Sequence, residues 1–409
     1  MIQTIKNLYH LFQAISANIY FGFPSRKLKV IGITGTDGKT TTTHLLYHIL
    51  KNSGHKVSMI SSLYAVIGDK GYDTGFHVTT PDIFPLQRFL KKSLDNKDEY
   101  FVLETTSHAI DQNRVFGIRF YLGILTNITH EHLDYHKTYS KYLKTKSKLL
   151  LKSKLAMINR DDNSFKEVSK ILKNASKKFV TYGLKYKSDF DINLAKKLDK
   201  PLANFNIYNF LAAYTAGIIL NINENEILIS LKSFKLPPGR LEVVYDKDFK
   251  VIIDFAHTPN AINQALKAIK TNYLPENGRL IHVFGSAGLR DKTKRGSMGE
   301  ASGNYSDIVI LTEEDYRTEN PKIIASEIAK GLEKNMFKFI DPQEINKAKN
   351  RNFTLIIDRE EAITAALHIA KKNDVVVTTG KAHEKSLCRG KIEYPWNEKK
   401  TIEKAIKSL

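Results

Sequence analysis

The stretch Val30-Ile31-Gly32-Ile33-Thr34-Gly35-Thr36-Asp37-Gly38-Lys39-Thr40-Thr41-Thr42 decides how the chain is read. An apolar run breaks into glycines and then into Lys-Thr-Thr, the pattern of a buried strand, a tight turn and the start of a helix. That arrangement gathers backbone N–H groups and a helix N-terminus around one small volume, which suits a polyphosphate. Lys39 is then expected on the β- and γ-phosphates and Thr40 on Mg2+. The generic phosphate loop wants a glycine where Ile33 stands, so the fit is imperfect. A strand and helix without a ligand would use the same glycines, but Gly-Lys-Thr-Thr directly after an apolar strand favours phosphate.

At 409 residues the chain exceeds one ordinary core and predicts two or three domains. With 42% hydrophobic and 26% charged residues it reads as globular and soluble. A net charge of +20 would suit nucleic acid or an anionic membrane. The excess is mostly lysine scattered along helices beside Asn and Ile, as on a solvated surface, so no nucleic-acid partner is expected. The single cysteine, Cys388, excludes an internal disulfide and fits a reducing cytoplasm. No apolar run approaches the length of about 18 residues that spans a membrane.

Residues 1 to about 24 place Ile2, Ile5, Leu8, Leu11, Phe12, Ile15 and Ile19 at helical spacing, an amphipathic helix. Lys6, His10, Gln13 and Asn18 interrupt any signal-peptide core. Its apolar face is expected to pack on its own domain, with peripheral membrane contact as the alternative. Tyr100 to Leu103 reads as a strand ending in Glu104-Thr105-Thr106-Ser107-His108, and strand C-termini are where open α/β sheets collect ligands. Tyr121 to Leu125 runs into a stretch with His130, Glu131, His132, Asp134 and His136. A zinc-protease helix would need a second His where Asp134 stands, so that reading fails. A hard-cation site of Glu104 and one His beside Thr40 competes with a simple helix cap. Lys144, Lys146 and Lys148, taken alone, read as a solvated face. Strands alternating with long helices predict a doubly wound, mostly parallel sheet. Pro237-Pro238-Gly239-Arg240 then marks a boundary before a second α/β alternation.

Taken together, the clusters resemble the Mur ligase family, ATP-dependent amide-bond-forming enzymes of peptidoglycan precursor synthesis. They are most similar to its MurE branch, which adds the third amino acid to UDP-N-acetylmuramoyl-L-alanyl-D-glutamate. Apolar spacing sets the amphipathic helix within 1–27, and the resemblance, which runs from about residue 28 to 400, implies a central phosphate-loop domain over 28–236 and a C-terminal Rossmann-like domain over 237–409. Gly35, Thr36, Asp37, Gly38, Lys39, Thr40 and Thr41 match the family's ATP loop. Thr79, Thr80, Thr106, Gln112 and Arg114 match positions that contact the muramoyl-dipeptide. Glu104 and His132 match Mg2+ ligands, and Lys146 matches a lysine that becomes a metal ligand on carbamoylation. Asn209, Arg240, Asp254 and His257 match positions around the nucleotide where the domains meet. Arg290, Glu314, Asp315, Tyr316, Arg317, Gly380 and Glu384 match those that hold the incoming amino acid.

The resemblance implies a muropeptide acceptor, a small amino acid, ATP and Mg2+, an acyl-phosphate intermediate, and a cytoplasmic monomer that closes its C-terminal domain over the site. Two departures stand out. The branch carries an N-terminal domain for the uridine nucleotide, whereas only residues 1–27 precede the expected strand, which admits a lipid-linked or shortened acceptor. The diaminopimelate motif Asp-Asn-Pro-Arg reads Glu314-Asp315-Tyr316-Arg317, and retention of Arg317 favours meso-diaminopimelate over lysine. A folylpolyglutamate-type ligase and a basic phosphate-loop ATPase on nucleic acid are the competing readings.

Overall fold

The structure is a computed structural model that describes residues 2–74, 79–129, 131, 133–198 and 204–409. The chain divides into two compact units, Met1–Lys235 and Leu236–Leu409.

The first unit opens with helix α1 (Ile2–Tyr20) and builds a sheet from β1 (Lys29–Thr34), β2 (Val57–Ile60), β3 (Ala65–Ile67), β4 (Lys70–Tyr72), β5 (Tyr100–Glu104), β6 (Phe120–Leu125), β7 (Ser153–Asn159) and β8 (Phe179–Tyr182). Their order is β4-β3-β2-β5-β1-β6-β7-β8. All pairings are parallel except the β2-β3-β4 meander at one edge. β1 lies at the centre and is apolar from Val30 to Ile33, as a strand covered on both faces must be, with buried Thr34 at its end. Its register sets Ile33 against Glu104 and Thr34 against Leu125, so the ends of β1, β5 and β6 lie side by side. Helix α2 (Lys39–Asn52) leaves β1 through a Gly38 cap, and α3 (Ile83–Asp95) follows the meander. Leu86 and Leu90 of α3 and Leu149 of the helix Tyr139–Lys152 share one core with Val30, Phe101 and Leu103.

The second unit repeats the logic with β9 (Glu242–Asp246), β10 (Lys250–Asp254), β11 (Leu280–Phe284), β12 (Ile308–Leu311), β13 (Lys338–Phe339), β14 (Asn352–Leu355) and β15 (Val375–Thr379). Their order is β13-β14-β12-β11-β15-β10-β9, with only β9 antiparallel. A hairpin of β16 (Ser386–Arg389) and β17 (Ile392–Pro395) follows. The expected α/β class holds for both units, and no helix among the described residues is long and apolar enough to cross a membrane.

Two expectations are corrected. Helix α1 meets its own unit through small residues: Ala14 and Ala17 pack on Ile83 and Phe116, and Asn18 bonds the Phe116 carbonyl at 2.9 Å. Its large apolar residues Leu8, Phe12, Ile15 and Ile19 are exposed, because only small side chains let the helix approach this closely. In the Lys-rich helix, Lys144 and Lys148 are exposed as a solvated face requires, but Lys146 is fully buried.

His282 of β11 is buried between Ser302 Oγ at 2.8 Å and Thr379 Oγ1 at 3.0 Å. Burial, with the Arg359 charge second, pushes its pKa down to about 3. Between that value and the ordinary pKa the unfolded chain binds one more proton than the folded one, so stability falls as pH falls. The single tryptophan, Trp396, packs on the second unit's core and reports its unfolding. Urea unfolding followed by Trp396 emission between pH 6 and 4 should therefore lose about tenfold in the folding constant per pH unit from this group. His282→Gln, which keeps hydrogen-bonding capacity and cannot titrate, should flatten the slope by one proton.

Candidate active site

The loop between β1 and α2 has every carbonyl from Thr34 to Asp37 engaged. Thr34 O accepts from Thr126 N at 3.0 Å, and Gly35 O accepts from Lys146 Nζ at 2.6 Å. Thr36 O accepts from Lys39 Nζ at 2.7 Å. Asp37 O accepts from Thr126 Oγ1 at 2.7 Å and Asn127 Nδ2 at 3.1 Å. A carbonyl facing a phosphate would repel it, so tying these oxygens back is a condition for anion binding. Asn127 also takes Thr36 N and Asp37 N at 2.9 Å each, which sets the height of the turn. Gly38 caps α2 at φ 81, and a Cβ there would fall inside contact of Asn209 Oδ1.

Glu104, at the end of β5, is almost fully buried and points its carboxylate at α2. Its Oε1 accepts from Thr40 Oγ1 at 3.1 Å and its Oε2 from Ser62 N at 2.9 Å. Thr40 Oγ1 lies 2.8 Å from Ser62 Oγ, so three oxygen-bearing side chains converge, a donor set suited to a hard cation. Lys146 arrives from the helix Tyr139–Lys152. Burial, reinforced by the Lys39 charge, holds its ammonium well below the ordinary lysine range. The Tyr142 ring lies 4.6 Å from its Nζ. His132 and His130 lie outside the described residues.

The acceptor-side positions gather behind Glu104. Thr80 Oγ1 donates to Glu104 O at 3.0 Å and accepts from Thr106 N at 3.0 Å. Arg114 donates to Thr80 O at 3.1 Å and to Gln112 Oε1 at 3.0 Å, and pairs with Asp82 at 3.1 Å. Thr79 adjoins them, half-buried. Asn209 belongs to the first unit, beside Gly38 and Thr42.

In the second unit Arg240 and His257 flank the ring of Phe255, the residue after Asp254. The Arg240 guanidinium lies 4.6 Å from the Phe255 centroid and the His257 ring 4.7 Å from it. Asp254 accepts from Leu241 N and Ala256 N at 2.8 Å each. The predicted amino-acid residues form a separate set within the same unit. Lys381 Nζ, fully buried, bonds Asp315 Oδ1 at 2.8 Å and pairs with Glu384 at 2.5 Å. Gly380 turns at φ 101 beside the Glu314 carboxylate, where a Cβ would crowd Oε2. Burial, with the Asp315 charge second, pushes the Glu314 carboxyl up to about 7. Arg317 donates to Gly288 O at 2.8 Å, and Gly288 N donates to Asp315 O at 2.8 Å, stitching the loops after β11 and β12 together. Tyr316 is half-buried, and Arg290 is exposed on the loop after β11. The sequence reading did not single out Ser62, Asn127 and Lys381. Each stands at the C-terminal end of an expected strand, the signal that could have found them.

Known proteins match this chain over nearly its whole length. The family description "Mur ligase middle domain" matches residues 33–217, and "Mur ligase, glutamate ligase domain" matches residues 239–382. The UDP-N-acetylmuramoyl-L-alanyl-D-glutamate–2,6-diaminopimelate ligase 1 of Clostridium acetobutylicum is 37% identical over 417 residues, covering 97% of this chain and 81% of its own length. A solved 2,6-diaminopimelate ligase of the same description is 28% identical at a TM-score of 0.59, covering 93% of this chain and 78% of that one. An E. coli FolC in complex with ADP superposes at a TM-score of 0.69, covering 91% of each chain at 18% identity, which shows a shared fold.

Gly38→Ala should cost about 1–2 kcal/mol from the left-handed backbone alone. It should also displace Asn209 and weaken nucleotide binding by about tenfold or more, read by calorimetric titration. Gly54, at φ 79 with nothing within 4 Å, is the control: Gly54→Ala should lose similar stability and leave nucleotide affinity unchanged.

Proposed function

The chain belongs to the Mur ligase family of ATP-dependent acid–amino-acid ligases, and from that premise we propose that it adds meso-diaminopimelate to a muramoyl-L-Ala-D-Glu peptidoglycan precursor. The observation that carries the reading is the buried Lys146 amine on the Gly35 carbonyl, beside a loop whose Thr40 bonds Glu104. The two diaminopimelate ligases named above carry that acceptor and that amino acid in their names, and Arg317 would supply the planar fork that a second carboxylate needs. In this reading residues 28–236 hold ATP and the acceptor, and residues 237–409 hold the amino acid. The reaction belongs to a reducing cytoplasm, which suits the buried free thiol of Cys388.

An acceptor carboxylate oxygen attacks the γ-phosphorus of ATP, the bond to the ADP oxygen breaks, and an acyl phosphate forms. The amine of the incoming amino acid, having given up a proton, attacks the acyl carbon, and inorganic phosphate leaves. Lys39 offsets the charge on the moving phosphoryl group, so the loop works by electrostatics and positioning more than by covalent catalysis. The oxygens of Thr40 and Glu104, with His132, would hold Mg2+, which would supply positive charge against the developing negative charge. Carbamoylation would leave Lys146 Nζ one proton for Gly35 O and add a carboxylate as an oxygen ligand, and a buried amine of lowered basicity is the form that reacts with carbon dioxide. In the second unit Glu314, with Oε2 unpartnered by any hydrogen bond, receives the amino group, while Arg317 or the exposed Arg290 receives a carboxylate.

A second reading, a folylpolyglutamate-type ligase, is favoured only by the shared fold. Phosphate release measured with UDP-linked and UDP-free acceptors against diaminopimelate, lysine and ornithine should require both an acidic muropeptide and diaminopimelate. Turnover that extends a folate with glutamate, indifferent to muropeptide, would reject our reading. Lys146→Ala should lower kcat by about a thousandfold or more, the size typical of lost electrostatic stabilisation. Because the Glu314 carboxyl ionises near pH 7, the KM for the amino acid should fall as pH rises through that value, and Glu314→Gln should raise KM and abolish this dependence.

A further inference from the structure

Helix α1 carries an apolar stripe that nothing in its own unit covers. Leu8, Phe12, Ile15 and Ile19 recur at helical spacing and are 53%, 62%, 40% and 64% exposed. Tyr9 and Tyr20 flank the stripe, 61% and 77% exposed. The helix is anchored on its other side. Asn18 Nδ2 donates to Phe116 O at 2.9 Å, Gln87 Nε2 donates to Asn18 Oδ1 at 3.2 Å, and Asn113 Nδ2 donates to Asn7 O at 3.2 Å. The stripe is therefore held outward by hydrogen bonds that a rotation of the helix would break.

The N-terminal segment that carries the stripe has charge of one sign. No carboxylate occurs before Asp37, whereas Lys6, Arg26, Lys27 and Lys29 are all exposed. Lys152 lies over the ring of Phe116, which packs under α1, and Arg88 is exposed one turn beyond the exposed Phe84 of α3. On the anchored side Asp111 accepts from Asn7 Nδ2 of α1 at 3.4 Å and has Lys148 Nζ at 3.9 Å, and Asp82 pairs with Arg114 at 3.1 Å, so each carboxylate there has a cation beside it. An amphipathic helix with exposed aliphatic and aromatic residues, ringed by lysine and arginine, matches the interfacial region of an anionic bilayer. Tyrosines at its edge suit the boundary between headgroups and acyl chains. A second copy would bring the same cations face to face across an isologous contact, and a nucleic acid would leave the aliphatic stripe in water.

We propose that α1 docks this chain, as a peripheral protein, on the surface of an anionic phospholipid bilayer, the stripe buried at the headgroup boundary and the surrounding cations on the lipid phosphates. The proposal is independent of the ligase reaction, and its test reads no turnover. Full-length protein is floated with vesicles of phosphatidylcholine alone and of phosphatidylcholine with an equal part of phosphatidylglycerol. Co-flotation should be about tenfold stronger on the mixed vesicles, should weaken with added salt, and should be lost in Phe12→Glu/Ile19→Glu with melting temperature and Trp396 emission unchanged. Three results would overturn it: no flotation of the unaltered chain, equal flotation of the double variant, or a dimer in sedimentation that this variant dissolves while vesicle binding is absent.

Discussion

The contact on which the shape of the first unit's loop depends is the 2.6 Å bond from Lys146 Nζ to the Gly35 carbonyl. A fully buried amine is expensive to desolvate, and it is retained here because it ties back an oxygen that would otherwise face an anion. Thr126, Asn127 and Lys39 do the same for the neighbouring carbonyls, so the turn presents its donors and hides its acceptors. The parallel register of β1 with β5 and β6 is what makes this affordable in geometry: it sets the loop, Glu104 and Thr126 at one sheet edge.

The second unit relies instead on ion pairs around the ends of its strands and helices, the deepest of them fully buried. Arg359 and Glu398 are both fully buried and 2.6 Å apart, and Arg359 also donates to Thr379 O at 2.8 Å. Lys381 holds Asp315 and Glu384 together, and Arg389 bonds Glu313 and Asp358. Such pairs contribute little net stability, but losing one partner strands a buried charge, so they fix loop positions sharply. Glu314 sits among them with its carboxyl raised by burial, poised to take a cation once ionised.

Helix α1 shows how an amphipathic pattern can mislead. Periodicity establishes that a helix has an apolar side, but it does not say which side the protein will use. Here Asn18, a polar residue, and two alanines make the internal contact, and the larger residues are left outside. The choice rests on close approach: small side chains let α1 lie near α3, where Gln87 and Asn18 find partners that water would otherwise supply.

Local pattern alone determined the elements and their class. The apolar run before Gly35, the glycines at left-handed positions and the alternation of strands with helices are properties of neighbouring residues, and they read correctly as two α/β units. The same logic placed Lys39 and Thr40 at the start of a helix and Glu104 at a strand end. Only the tertiary structure decided which lysine of the run Lys144, Lys146 and Lys148 turns inward, because that depends on which face of the helix meets the sheet. It alone joined Ser62 to Glu104 and Asn127 to the turn, contacts 42 and 90 residues apart in the chain that no short-range pattern encodes. Sequence specifies what each segment can bury; packing specifies which polar groups are then forced to find one another.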